Sequence, residues 1–160
     1  MIRFALLLMI ASPSLAAPAP APRIVAAEGR WAALAGPRQC DAASLSLLPA
    51  SKSRLQGRAS LSFDRRSRHG QFAAALSKPV ADGASVMLTI GDQPFLLAAR
   101  GTGAWSRGPT QEAAIILAMR GASRMRIEGR TQRGLRFIDR YDLAGAPTAI
   151  DAAAACALAL

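Results

Sequence analysis

The chain has 160 residues, enough for one domain, and its 20 Lys and Arg residues against 10 Asp and Glu give a formal net charge of +10. Arginine supplies nearly all of this charge, because Lys52 and Lys78 are the only lysines. With one histidine and two cysteines, the chain lacks the clustered ligands that metal sites need, which argues against a metalloenzyme. The excess of arginine indicates either an anionic partner or a solvated surface in an alanine- and arginine-rich sequence.

The N-terminus predicts export. Residues 1–16 carry a positive charge at Arg3, followed by an apolar run over 4–10. They end with Ser14 and Ala16 at the −3 and −1 positions of a cleavage site. The run is shorter than the ~20 residues that span a bilayer, so we expect a signal peptide and no transmembrane segment in the mature chain. We therefore expect a periplasmic or secreted protein.

The domain boundaries follow from composition. Residues 17–28 open with alternating Ala and Pro, which predicts an extended linker. Residues 29–160 then form a single β-rich exported domain. From Ile24 onward the sequence mostly predicts strands, since most segments alternate between apolar and polar residues or are rich in apolar residues.

Two hairpins are predicted in the middle of the chain. Residues 58–64 and 71–77 alternate between apolar and polar, and a charged link ending in Gly70 joins them. Residues 85–90 and 94–100 flank the turn-forming segment 91–93. Because this second pair is apolar on both faces, we expect it to lie centrally in the sheet.

A helix is predicted over residues 108–121. Pro109 suits the first helical position, and Gly121 suits the end. Residues 113–119 are apolar almost all round, which predicts a largely buried helix. The preceding segment 101–108 resembles a phosphate-binding loop only loosely, since it lacks the Lys-Ser/Thr ending, and a turn around Trp105 is the better interpretation.

The clearest hairpin joins residues 123–130 to 135–143. If Thr131 pairs with Leu135, Gly134 takes the left-handed position of a three-residue loop. That register places arginines opposite one another on one face, and Met125, Ile127, Phe137 and Tyr141 on the other. Asp139 interrupts the apolar face and requires a partner, for which Arg100 or Arg107 is a candidate.

The same register defines a candidate surface for an anionic ligand. It consists of five arginines with Glu128 among them: Arg124, Arg126, Arg130, Arg136 and Arg140. Such a band could bind acidic sugars or lipid head groups, or it could be a solvated face whose charge prevents edge pairing. No aromatic side chain interleaves with the arginines, so we expect no specific nucleic-acid binding.

The last segment predicts a second helix. Pro147 and Thr148 suit its start, and Thr148 with Asp151 has the spacing of a capping box. Four positions share one helical face toward the sheet: Ala149, Ala153, Cys156 and Leu160.

Cysteine usage predicts one disulfide. In an oxidising compartment two cysteines most often pair, so we expect a bond between Cys40 and Cys156, which would tie an N-terminal strand to the last helix. The alternative is two buried free thiols. A catalytic thiol is not indicated, because the only histidine, His69, lies in a charged turn.

No catalytic constellation is recognisable. The sequence contains no G-x-S-x-G motif, and Asp139 and Asp142 fall on opposite faces of one strand. We therefore expect no catalytic residue, no metal and no cofactor, and a non-enzymatic protein. The rival hypothesis is an enzyme whose site the sequence does not reveal.

Two segments resemble the invasion-associated locus B family. GRWAALAGPRQCDAASLSL (29–47) is similar to its opening, in which a tryptophan precedes a cysteine, and YDLAGAPTAIDAAAACA (141–157) is similar to its closing strand and small-residue helix. Members usually carry more cysteines than Cys40 and Cys156. The resemblance implies an exported bacterial β-rich domain with no established enzymatic reaction, and some members are linked to host-cell entry.

Together these patterns predict a mainly β, β-rich α+β domain. We expect about seven to nine strands in an antiparallel β-sandwich or curled sheet, with two short helices. The predicted function is binding in the cell envelope, with an unidentified protein or an anionic envelope or host-surface component as partner. The alternative is an envelope-maintenance or chaperone-like periplasmic protein.

Overall fold

The computed structural model describes residues 21–66 and 69–160. The predicted signal peptide, 1–16, lies outside the described residues. Within these residues, nine strands form one antiparallel sheet with two helices, which confirms the mainly β fold class. The elements in chain order are β1 Arg23–Glu28, β2 Trp31–Ala35, β3 Cys40–Leu45, β4 Arg58–Phe63, β5 Gln71–Val80, β6 Val86–Ile90, β7 Gln93–Trp105, α1 Pro109–Gly121, β8 Arg124–Arg130, β9 Arg136–Asp142 and α2 Ala146–Leu158.

The sheet order is β1-β2-β3-β4-β5-β7-β6-β8-β9. The three predicted hairpins are confirmed as β4–β5, β6–β7 and β8–β9. The pair β6 and β7 lies centrally, as its apolar composition predicts. The alternating apolar side chains of β4 and β5 face inward, and Leu61, Phe63, Phe72 and Leu76 are all buried.

The sheet bends at β7. The first residues of this 13-residue strand pair with β6, and its last residues pair with β5. Between them Gly101 has a φ of +58°, a left-handed conformation that favours glycine. The turn predicted around Trp105 is wrong, because the strand continues through this bend and Trp105 pairs with Ala73.

The curl brings the last strand back against the first half of the sheet. The buried Trp31 on β2 donates its indole N–H to the carbonyl oxygen of Asp142, 2.9 Å away. The backbone N–H of Leu47, in the connection after β3, donates to the carbonyl oxygen of Arg140 at 2.8 Å. Strand β9 is thus anchored from two distant parts of the chain, which fixes the position of the β8–β9 hairpin.

The predicted linker 17–28 is wrong over its last six residues, because Arg23–Glu28 form β1. A tight turn at Gly29 and Arg30 pairs Glu28 with Trp31, so the segment adds an edge strand to β2. The β-branched Ile24 and Val25 favour this extended backbone. The sheet therefore begins six residues before the predicted domain boundary.

Helix α1 begins at Pro109 and ends at Gly121, as predicted. It is not largely buried, however. Ile115 and Met119 pack into the core, whereas Leu117 is 73% exposed. The helix lies on the surface over β5, β6 and β7. Its apolar composition does not reveal that only one side of it meets the sheet.

Helix α2 packs against β1 to β4, with Ala149 and Ala153 fully buried as predicted. The predicted capping box is wrong. The helix begins earlier, after Gly145 in the left-handed conformation, and no side chain caps its N-terminus. Thr148 consequently lies within the first turn of the helix rather than at its cap.

Candidate anionic-ligand surface

The two cysteines form a disulfide, as predicted. Cys40, the first residue of β3, is joined to Cys156 near the end of α2, with Cα atoms 6.0 Å apart and a sequence separation of 116. Because both cysteines form this bond, neither is a free thiol. The bond holds α2 on the sheet by joining it to β3.

The β8–β9 hairpin has the predicted register. Thr131 donates its backbone N–H to the Leu135 carbonyl at 2.9 Å, and Gly134 has a φ of +77°. Three cross-strand pairs follow: Arg124 with Asp142, Arg126 with Arg140, and Arg130 with Arg136. All the predicted site arginines are exposed on the outer face of this hairpin, which we call the arginine face: Arg124, Arg126, Arg130, Arg136 and Arg140.

Charge on the arginine face is only partly neutralised. Glu128 accepts a hydrogen bond from Arg136 at 2.8 Å, and its carboxylate lies 3.7 Å from Nε of Arg126. Arg130 donates to the carbonyl of Gly134 at 3.0 Å. Within the described part of the chain, Arg124 and Arg140 form no ion pair. Besides that of Arg130 near the turn, unneutralised charge therefore lies on Arg124 and Arg140, at the end of the hairpin away from its turn.

A shallow groove of about 540 Å³ opens at that end. Three cations line it, and we call them the groove arginines: Arg124, Arg126 and Arg140. Leu47 and Thr89 contribute to its walls, and Asp92 is the only carboxylate among the lining residues. A second hollow of about 550 Å³ lies toward the turn, where Arg130 and Arg136 accompany Glu128.

Asp139 does not meet an arginine, so the predicted pairing with Arg100 or Arg107 is wrong. Its side chain is fully buried behind the arginine face and accepts the backbone N–H of Ser77 at 2.9 Å. The β5–β7 pairing is irregular between Ala75 and Val80, and this irregularity leaves Ser77 free to bond the carboxylate.

The surroundings of Asp139 are tightly packed. Burial, and secondarily the nearby Asp139 carboxylate, raise the pKa of Tyr141. A Cβ added at Gly57 would lie 2.8 Å from the Asp139 carboxyl group. Among the described side chains, Asp139 Oδ1, Ser77 Oγ and the Tyr141 hydroxyl have no hydrogen-bond partner. This polar cluster joins β9 to β5 and to the connection after β3, with Asp139 and Ser77 inside the fold and Tyr141 at the wall of the groove.

The remaining chemistry-bearing residues lie apart. His69 is exposed in the turn after β4, and Glu112 is buried on α1, where it accepts a hydrogen bond from the Ser106 hydroxyl at 2.9 Å. Over residues 21–66 and 69–160, no three His, Cys, Asp or Glu side chains cluster so as to hold a metal ion. In the same part of the chain, no helix combines the length and apolarity needed to cross a membrane.

Sequence analysis missed one feature beside the arginine face. The connection between β3 and β4 exposes several leucines, although its neighbours in the sheet are buried. The signal was present in the segment LSLLPASKSRL (45–55), whose leucines follow no strand or helix period.

No protein-family model, curated protein or solved structure matches this chain.

Proposed function

We propose that this chain is an exported, non-enzymatic bacterial protein, resembling the invasion-associated locus B family, whose domain binds an anionic component of the cell envelope or host surface. The observation that carries the proposal is the arginine face, where five exposed arginines stand on a rigid hairpin. Disulfides such as Cys40–Cys156 are typical of proteins in oxidising compartments, and this bond therefore supports the proposal that the chain is exported.

The cross-strand register supports a ligand rather than a merely solvated face. Arg126 lies directly opposite Arg140, and Arg130 lies directly opposite Arg136. Like charges in this position destabilise a sheet by roughly 0.2–1 kcal/mol per pair. Glu128 relieves the repulsion around Arg136, but it does not reach Arg140. An anion bound between the groove arginines would relieve the remaining repulsion.

Arginine is also suited to this task chemically. Its planar guanidinium presents several N–H donors that match the two oxygens of a carboxylate, sulfate or phosphate group. Held on adjacent strands, the groove arginines converge without first ordering a loop, so little conformational entropy is lost on binding.

Heparin affinity chromatography with a salt gradient tests the proposal. The test variant replaces the three groove arginines with serine. The control also replaces three exposed arginines and therefore has the same net charge, but these lie where the start of β3 adjoins the end of β4: Arg38, Arg65 and Arg66. We expect the test variant to elute at clearly lower salt than both the wild type and the control. Equal elution of the two variants would refute binding through the arginine face.

A further inference from the structure

Exposed leucines lie at the end of β3 and in its connection to β4. Leu48 is 47% exposed and Leu55 is 62% exposed, and Leu45 and Leu47 at the start of the segment are also about half exposed. Single exposed apolar residues are common in soluble proteins, whereas several on one short segment mark an interaction site. We call Leu45, Leu47, Leu48 and Leu55 the leucine cluster.

The backbone holds the cluster in a defined conformation. Ser46 donates its N–H to Gly57 at 2.8 Å, and Gln56 donates to the carbonyl of Ser46 at 2.9 Å, so the two ends of the connection are closed. Ser51 and Arg54 pair inside it. These hydrogen bonds hold the ends and the turn of the connection in place, and the leucine side chains remain exposed.

One member of the leucine cluster, Leu47, borders the arginine face. The backbone N–H of Leu47 donates to Arg140 at 2.8 Å, and the Leu47 side chain lines the same groove as the groove arginines. Apolar and cationic groups therefore share one edge of the molecule. A soluble acidic polysaccharide would use the cations but would leave the leucines in water.

We propose, resting on the function proposed above, that the anionic partner is the surface of a lipid bilayer. The leucine cluster enters the boundary between head groups and acyl chains, while the groove arginines contact lipid phosphates. Peripheral membrane proteins bind in this way, by burying apolar area in the bilayer and by electrostatic attraction to anionic lipid. The loop supplies the apolar area without a helix.

Vesicle sedimentation tests this inference, using phosphatidylcholine vesicles with and without phosphatidylglycerol. Replacing the three groove arginines with serine should weaken binding to the anionic vesicles by roughly 100-fold, since each cation near such a surface contributes about fivefold. The double variant Leu48→Ser/Leu55→Ser should weaken it by roughly tenfold or more, because two partly exposed leucines lose their burial in lipid.

An apolar control comes from the part of the sheet near the start of β3, away from the groove. Ile24 is 63% exposed and pairs with Leu34, and Leu158 on α2 is 70% exposed and lies beside Phe63 at the end of β4. The variant Ile24→Ser/Leu158→Ser therefore removes at least as much exposed apolar side chain away from the proposed membrane edge. We expect this control to bind anionic vesicles as the wild type does. Because the four replaced side chains of the two double variants are largely exposed, we expect both variants to fold.

The outcomes separate the two proposals. If Leu48→Ser/Leu55→Ser lowers vesicle binding but leaves heparin elution unchanged, lipid insertion is supported. If this variant binds vesicles as tightly as the wild type, or if the wild type binds heparin but not anionic vesicles, the lipid inference is overturned and the anion-binding function stands. If the wild type binds neither heparin nor anionic vesicles, both proposals are refuted.

Discussion

Removing the disulfide should greatly destabilise the domain. The variant Cys40→Ala/Cys156→Ala opens a loop with a sequence separation of 116 residues. In the chain-entropy relation, a loop of this length restricts the unfolded chain by about 16 cal/mol/K, or about 5 kcal/mol at room temperature. Because a whole domain is stable by only about 5–15 kcal/mol, the loss is a large share of the total.

Guanidinium denaturation measures this loss. The free energy of unfolding of the oxidised wild type should exceed that of the double variant by about 3–5 kcal/mol, since engineered and native disulfides often deliver less than the relation gives. Wild-type protein reduced with dithiothreitol is the control and should resemble the double variant. A difference below about 1 kcal/mol would refute the argument that the bond from β3 to α2 constrains the unfolded chain.

Two further perturbations test the packing. Gly145→Ala should destabilise the fold by more than about 3 kcal/mol, because a Cβ would lie 1.9 Å from the Glu28 carbonyl oxygen at a φ of +84°. Gly134 has a φ of +77° but open space around it, so Gly134→Ala should destabilise the fold by only about 1–2 kcal/mol. Equal losses of stability for the two glycine variants in thermal melts would contradict the close contact at Gly145. The hydrogen bond from Arg120 lowers the pKa of Asp151 in the folded protein. The pair therefore stabilises the fold fully at a pH above the pKa of an unperturbed aspartate, and this stabilisation is lost as the pH falls through the lowered pKa of Asp151. Because both side chains are exposed, Asp151→Asn should lower the free energy of unfolding by under about 0.5 kcal/mol at neutral pH and should not change it at low pH. A large decrease in the free energy of unfolding at low pH, measured by denaturation, would contradict this expectation.

Local patterns predicted the hairpins because each depends on residues close in sequence. The period of two in β4 and β5 identifies the buried face, and the left-handed Gly134 sets the β8–β9 register. The arginine face was therefore predictable residue by residue. The disulfide was predictable from the expected oxidising compartment and the number of cysteines.

Long-range features were not predictable from the same patterns. The partner of Asp139 is a backbone N–H of β5 that becomes free only because the β5–β7 pairing is irregular. The exposure of Leu117 depends on which side of α1 meets the sheet. The position of Leu47 beside Arg140 depends on the curl of the whole sheet. None of these has a signal within a short window of sequence.

The proposed function requires that the groove arginines contact the anionic ligand. NMR spectra of the arginine Nε–Hε groups, recorded during titration with a short heparin fragment, report on each arginine separately. We expect the largest chemical-shift changes at Arg124, Arg126 and Arg140, with Arg38 and Arg66 nearly unchanged. Shifts spread evenly over all arginines, or largest at Arg38 and Arg66, would contradict it.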